Sequence, residues 1–459
     1  MRAVSSPPNA SKLFQEVLDN SPEKIRDIMS IGLDFPDGTY PNWDKIKRKQ
    51  APNGLSPELY WTGVKMAREQ AKRTVPLFQK NGSKFSFTEP SCVRANISAI
   101  DTQAAGAIST RGHDLNQSDQ ERYYARSLIE EPFSSSVMEG AATTREVAKK
   151  LIEENVQPRT KDERMVLNNY LAMRFVKEHQ SESLTPELIL EIHRIISDGT
   201  LENQDNCGVL RTEENNVRVE DELTGEVYHF PPESSELSQR LQQICDFANM
   251  PNDSVNFVHP IIKAIILHFM IGYDHPFVDG NGRTARALFY WYAIKSGYWL
   301  LEYVSISKTI MKSPTNYSKA YLKTEYDDGD LTYFVIHQLD VLMVAINELY
   351  EYAEMRKNKL AEFAKTLHSE SINYRQSFIL NEAARGRLRG IKIAQHQAQN
   401  KVSYLTARKD LEELVSAGYF KKRKSGRESI YIPIVGLVEK LSNPMPTPAQ
   451  KSPPHPEST

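Results

Sequence analysis

With 459 residues, 40% of them apolar and 25% charged, the chain has the length and composition of two to four globular domains. A net charge of −2 gives no global pull toward nucleic acid or membrane, so any basic surface has to be local. The most apolar run, residues 261–271, is interrupted by Lys263 and His268 and is too short to span a bilayer.

The N-terminus lacks the apolar core of a signal peptide. Cys92, Cys207 and Cys245 are widely separated and show no metal spacing, which suggests free thiols in a reducing, cytoplasmic setting without a membrane partner. Residues 1–120 read as a helical N-terminal extension. A helix over 11–31 is followed by breakers at Pro36, Gly38, Pro41, Pro52 and Gly54, and a second helix over 56–73 opens on a Ser-Pro-Glu cap. Residues 121–350 are almost wholly helical in pattern, with amphipathic stretches at 145–155, 162–178 and 185–197. The exception is 208–230, where 216–219 and 227–230 read as two short strands around a turn at Gly225, stopped by Pro231 and Pro232. Residues 351–370 continue a helical period begun near 331 and serve as a linker helix.

Residues 371–440 have a separate organisation. Helices over 393–399 and 403–416 are joined by a short turn, Gly418 stops the second, and Lys421-Lys422-Arg423-Lys424 precedes a strand at 429–432. This resembles a winged-helix module, with a recognition helix and a basic wing. Such modules bind DNA through phosphate contacts, and they also serve in dimerisation and docking. Residues 441–459 are proline-rich and polar, the composition of a disordered tail.

The chemistry concentrates at His275-Pro276-Phe277-Val278-Asp279-Gly280-Asn281-Gly282-Arg283-Thr284-Ala285-Arg286. Apolar runs at 261–273 and 287–294 read as buried helices, so the stretch is a loop that opens the second of them. Gly280 and Gly282 permit close backbone approach to a ligand. Unpaired N–H groups at a helix start favour an anion, and Arg283 and Arg286, three apart, share one face for further phosphate contacts. Asp279 beside such a nest suits Mg2+, which takes one or two carboxylates plus phosphate oxygens. His275 has the pKa range for proton abstraction near neutrality, and Phe277 reads as a loop anchor. Together they describe a site for a metal-bound polyphosphate with a general base beside it.

Eight specified positions, His275, Phe277, Asp279, Gly280, Asn281, Gly282, Arg283 and Arg286, match the H-x-F-x-[D/E]-G-N-G-R-x-x-R signature, and the chain resembles Fic-domain proteins. The resemblance implies a mainly α fold: an all-helical core at 121–350, a β-hairpin flap at 208–230 that holds the target protein by strand pairing, and a small α+β winged-helix C-terminal domain. It also implies an adenylyltransferase that moves AMP from ATP to a Ser, Thr or Tyr hydroxyl of a target protein. In that reading His275 is the base, Asp279 holds Mg2+, and Gly280, Asn281 (backbone and side chain) and Gly282 form the anion hole. Arg283 and Arg286 bind the outer phosphates, with Thr284 and Ala285 between them, and an aromatic residue near 317–321, here Tyr317, contacts the adenine.

Ser135-Ser136-Val137-Met138-Glu139-Gly140 fits the inhibitory [S/T]-x-x-x-E-[G/N] pattern of one class of that family. It places Ser135, Glu139 and Gly140 in an inhibitory helix over 133–141, with Glu139 paired to Arg286 and blocking the γ-phosphate position. Thr143-Thr144-Arg145-Glu146, which follows, has capping-box spacing. The same site read with Glu139 orienting water implies AMP removal instead. A third reading is a nucleotide-sensing regulator that acts on DNA. Fic cores often form homodimers, so self-association is a further expectation.

Overall fold

The computed structural model describes residues 4–35, 37–105, 117–215, 217–220, 225, 227–251, 257–369, 372–425 and 428–442. The tail at 443–459, Asn216 and the flap tip at 221–224 lie outside the described residues. The chain divides into two compact units, one of Met1–Asp114 with Arg122–Glu348, the other of Leu115–Glu121 with Leu349–Thr459.

In the first unit the N-terminal stretch contains α1 (Ala10–Asn20), α2 (Ile25–Met29), α3 (Trp43–Ile46), α4 (Pro57–Ala71), strands β1 (Arg73–Phe78) and β2 (Lys84–Phe87), and α5 (Ser91–Ile100). The Ser56 side chain caps α4, with Pro57 at its first position, as the Ser-Pro-Glu pattern predicts. The antiparallel β1–β2 hairpin corrects the all-helical expectation for this region. Phe85 and Phe87 point inward and are wholly buried, and the Phe85 ring meets Phe269 and Tyr273 edge-on at 5.5 and 5.1 Å.

There follow α6 (Gln117–Met138), α7 (Arg145–Glu153), α8 (Lys161–Glu178), α9 (Pro186–Ser197), strands β3 (Val219–Glu220) and β4 (Val227–His229), α10 (Leu237–Asn249), α11 (Pro260–Asp274), α12 (Asn281–Lys295), α13 (Ile306–Ile310), α14 (Pro314–Tyr326) and α15 (Thr332–Ser369). The stretch expected to be inhibitory forms the last turns of α6, and Glu139 stands just past its end. The cap of α7 is Thr144, which accepts from Val147, so Thr143 and Glu146 do not form the expected box. α11 is buried along nearly its whole length, its Lys263, His268 and Asp274 included, as a central core helix must be. α12 pairs with it and is buried from Thr284 to Ile294. The linker expected at 351–370 is the distal part of the single helix α15.

The second unit contains α16 (Tyr374–Ala384), β5 (Ile391–Lys392), α17 (Ile393–Asn400), α18 (Tyr404–Ser416), β6 (Phe420–Ser425), β7 (Glu428–Pro433) and α19 (Leu437–Ser442). Its three-stranded antiparallel sheet runs β5-β7-β6. Its own core gathers Ile379, Leu380, Leu411, Leu414, Phe420 and Tyr431. β5 was not foreseen; two residues carry no readable period. No helix among the described residues is long and apolar enough to cross a membrane.

Candidate active site

α11 ends at Asp274, and His275 follows in the left-handed region at φ +45°, ψ +57°. That conformation costs a non-glycine residue energy and persists only where the surroundings hold it. It turns the ring back so that Nδ1 lies 3.2 Å from the Gly272 carbonyl. A carbonyl can only accept, so Nδ1 carries the proton and Nε2 presents its lone pair. Burial pushes the His275 pKa down to about 4, with His229 and Arg211 adding to the effect and the Gly272 bond and Glu139 opposing it. The ring is therefore a neutral acceptor at pH 7.

Three contacts fix the loop. Phe277 is wholly buried and stacks parallel on His193 at 3.7 Å. His193 Nε2 donates to the Asp279 carbonyl at 2.9 Å while Nδ1 accepts from Gly208 N–H at 3.1 Å. The Asn281 side chain brackets Phe277, accepting from its N–H at 2.9 Å and donating to its carbonyl at 2.8 Å. Asn281 was expected to turn its amide to the anion; it spends it on the loop, leaving its backbone N–H at the helix start.

Two arginines that sequence reasoning missed clamp the approach to this loop. Arg211 donates from its backbone to the Pro276 carbonyl at 2.9 Å and from Nε to the His275 carbonyl at 2.8 Å. Arg240 Nε donates to Asp274 Oδ1 at 2.8 Å, and its Nη2 reaches the Phe78 carbonyl of β1 at 2.5 Å. Burial raises the Asp274 pKa to about 6 against the pull of Arg240. Neither arginine lies in a local motif, and only their distant contacts mark them.

At the anion end, Gly280 takes φ +84° and α12 begins at Asn281 with no side-chain cap, so its first N–H groups stay available. Arg283 is wholly buried; its Nη2 lies 3.4 Å from Asp279 Oδ1, and its Nε and Nη1 have no partner among the described residues. Buried guanidinium donors left unpaired are costly, and an anion would satisfy them. Asp279 is half-exposed, with Oδ1 also accepting from Gly280 N–H at 2.5 Å, which leaves Oδ2 for a cation. No cluster of three metal-ligating side chains occurs among the described residues, so a cation here would complete its shell with phosphate oxygens and water, as Mg2+ does. Thr284, expected among the phosphate contacts, donates both N–H and hydroxyl to the Gly280 carbonyl, at 3.0 and 2.9 Å. Ala285 is wholly buried.

Arg286 is 2% exposed and hydrogen-bonded through Nε and Nη2. Its Nε donates to Ser135 Oγ at 2.8 Å, and its Nη2 donates to the Ser135 carbonyl at 3.2 Å and to Glu139 Oε1 at 2.8 Å. Glu139 Oε1 comes so near Gly282 that a Cβ there would clash with it. Gly140, at φ +90°, ends the helix and sets the Glu139 backbone. Tyr317 donates to or accepts from His268 Nε2 at 2.9 Å. Burial raises its pKa while Arg286 opposes the rise, so the ring stands beside the second arginine.

Residues 183–293 match the model of the Fic/DOC family. The chain carries a Fic domain. It is 28% identical over 296 residues to the protein adenylyltransferase Fic of Drosophila melanogaster, covering 63% of this chain and 53% of that protein. Against the protein of the same name from Nematostella vectensis it is 28% identical over 172 residues, covering 36% of this chain and 37% of the relative. The chain thus spans about half or less of the curated relatives it matches. A Fic family protein structure from Desulfovibrio desulfuricans G20 aligns over 74% of this chain and 94% of that one, with a TM-score of 0.47 and 17% identity. A Fic domain containing signaling protein from Bacteroides thetaiotaomicron aligns with a TM-score of 0.46 and 22% identity, over 56% of this chain and 98% of that one.

Proposed function

We propose that this Fic domain transfers AMP from ATP to a hydroxyl of a target protein and that Glu139 holds the activity down. The observation that carries the reading is the pairing of a neutral histidine with an anion cradle. His275 offers Nε2 while Arg283 keeps two buried donors unpaired beside the open start of α12. In the reaction His275 Nε2 takes the proton of a target Ser, Thr or Tyr hydroxyl. The freed oxygen bonds to the α-phosphorus as the bond to the bridging oxygen breaks, and pyrophosphate leaves. Arg283 and the N–H groups of Asn281 and Gly282 bind the developing charge. Mg2+, held through Asp279, would neutralise charge on the phosphate oxygens. Tyr317 is the proposed adenine contact, and the β3–β4 hairpin is the proposed dock for an extended target segment, paired strand to strand. His229 braces that hairpin, its ring nitrogens 2.7 Å from the Tyr273 carbonyl and 2.8 Å from Glu325 Oε2.

The proposed brake follows from one guanidinium having two claimants. While Arg286 serves Glu139 and Ser135, it is withheld from the outer phosphates of ATP. A second reading keeps the same residues, with Glu139 orienting water so that the site removes AMP. Transfer from α-labelled ATP separates these readings. We expect label on Glu139→Gly protein above the wild-type level and none on the Glu139→Gly, His275→Ala double variant. Loss of label from pre-modified protein with wild type, and no transfer by Glu139→Gly, would replace transfer by removal.

A further inference from the structure

We propose that the second unit binds double-stranded DNA, with the first two turns of α18 in the major groove and the β6–β7 hairpin on the phosphate backbone. Between residues 372 and 442 there are 14 lysines and arginines against six acids, in a chain whose net charge is −2. The excess is placed as well as counted. On α18 the exposed positions of the first two turns are Tyr404, Leu405, Arg408 and Lys409, and no acid stands among them. Leu405 is 75% exposed, an exposure its side chain does not reward in a free monomer. The acids come later and have partners. Asp410 is buried against Arg375 and His396, Glu412 takes Lys422 and the Tyr431 hydroxyl, and Glu413 faces Gln376. In β6, Lys421, Arg423 and Lys424 are exposed.

This is the charge and shape that a groove-entering helix needs. An α-helix fits the B-form major groove, where its N-terminal residues meet base edges and an apolar side chain meets a thymine methyl. The deep, narrow major groove of A-form RNA does not admit it. Lysines and arginines on a hairpin beside the helix neutralise phosphates and release their counterions. The apolar body of the α18 opposite face is buried in the unit's core through Ala407, Leu411 and Leu414, so only the polar–apolar tip is offered outward. This inference is independent of adenylyl transfer.

The test is fluorescence anisotropy of a labelled, mixed-sequence 24-bp duplex with the full chain, titrated with NaCl. Five phosphate contacts, from Arg408, Lys409, Lys421, Arg423 and Lys424, give an expected log–log salt slope of about −4 to −5. A Lys421→Glu, Arg423→Glu variant with an unchanged far-UV circular dichroism spectrum is expected to bind at least about tenfold more weakly and to flatten the slope by about 2. If that variant fails to fold, Lys421→Gln, Arg423→Gln carries the same slope prediction. No binding at low salt, equal binding by the variants, or preference for double-stranded RNA or phosphatidylserine vesicles over the duplex would overturn the proposal.

Discussion

Glu131 offers a sharp test of how the proposed brake is seated. It lies two turns before Glu139 on α6, on the face that also carries Ser135, and is 3% exposed. Its carboxylate accepts from Ser305 Oγ at 2.7 Å, from Ser307 Oγ at 2.6 Å and from Ser307 N–H at 3.1 Å. Pro132 follows at once and supplies no N–H to the helix ladder, so this anchor replaces support the backbone lacks there. Glu131→Ala removes an acceptor of three hydrogen bonds and leaves buried donors behind. At about 1–3 kcal/mol per unsatisfied group, partly relieved by water, a loss of about 3 kcal/mol is expected. If about 1.4 kcal/mol of it falls on the docked position of the last turn, brake occupancy shifts roughly tenfold. The assay is AMP transfer from α-labelled ATP alongside thermal unfolding. We expect a lower midpoint with transfer raised several-fold in Glu131→Ala, and no further gain when it is added to Glu139→Gly. A folded Glu131→Ala protein whose transfer is unchanged, or a double variant more active than Glu139→Gly alone, would refute seating of the brake through this residue.

Other expectations follow from the same geometry. His275, with its pKa pushed down to about 4, stays neutral throughout the physiological range. The acid limb of kcat/KM for the free enzyme is therefore expected below about pH 5, and a limb near pH 6.5 would contradict the buried-base geometry. Burial lowers His193 and His337 to about 4 as well. The unfolded chain binds these protons first, so stability contributed by the neutral rings is complete above pH 6.5 and is lost on acidification toward pH 4, at about 1.4 kcal/mol per unit and ring. Asp274, raised to about 6, works the other way between pH 6 and 4, and Asp274→Asn is expected to steepen the acid loss seen in urea titrations across pH. Phe277→Ala removes the ring stacked on His193 and is expected to cost about 3–5 kcal/mol of stability, read from the urea midpoint; a change below 1 kcal/mol would show that the loop does not depend on it.

The candidate catalytic stretch was legible because its chemistry is local: eight specified residues within twelve positions, between two apolar runs that had to be buried helices. Glu139 was legible for the same reason, as a short pattern ending at a glycine. Features assembled from distant residues were not. The β1 strand offers only Val75 and Leu77 as inward positions and has Pro76 between them, a residue that argues against a strand; Pro76 falls where the β1–β2 register is irregular, between Thr74 and Phe78. Arg211 and Arg240 are ordinary charged residues until the fold brings them to the carbonyls of His275 and Phe78. Asn281 shows the opposite limit. The motif marks the residue, yet whether its amide meets a ligand or the loop's own backbone is decided by the turn that Phe277 closes.

The bond from Arg240 to the carbonyl of Phe78 bears on how this protein can be cut. The family-matched segment, 183–293, holds His275, Arg283 and Arg286, but Phe78, Glu139, Tyr317 and Glu325 all lie outside it. A fragment trimmed to that segment would keep every signature residue and lose the carbonyl that steadies the arginine behind Asp274, the carboxylate on Arg286 and the partner of His229. The segment that the family model matches is smaller than the set of elements that hold its site in shape, and a fragment that keeps these contacts has to begin before β1 and continue through α14.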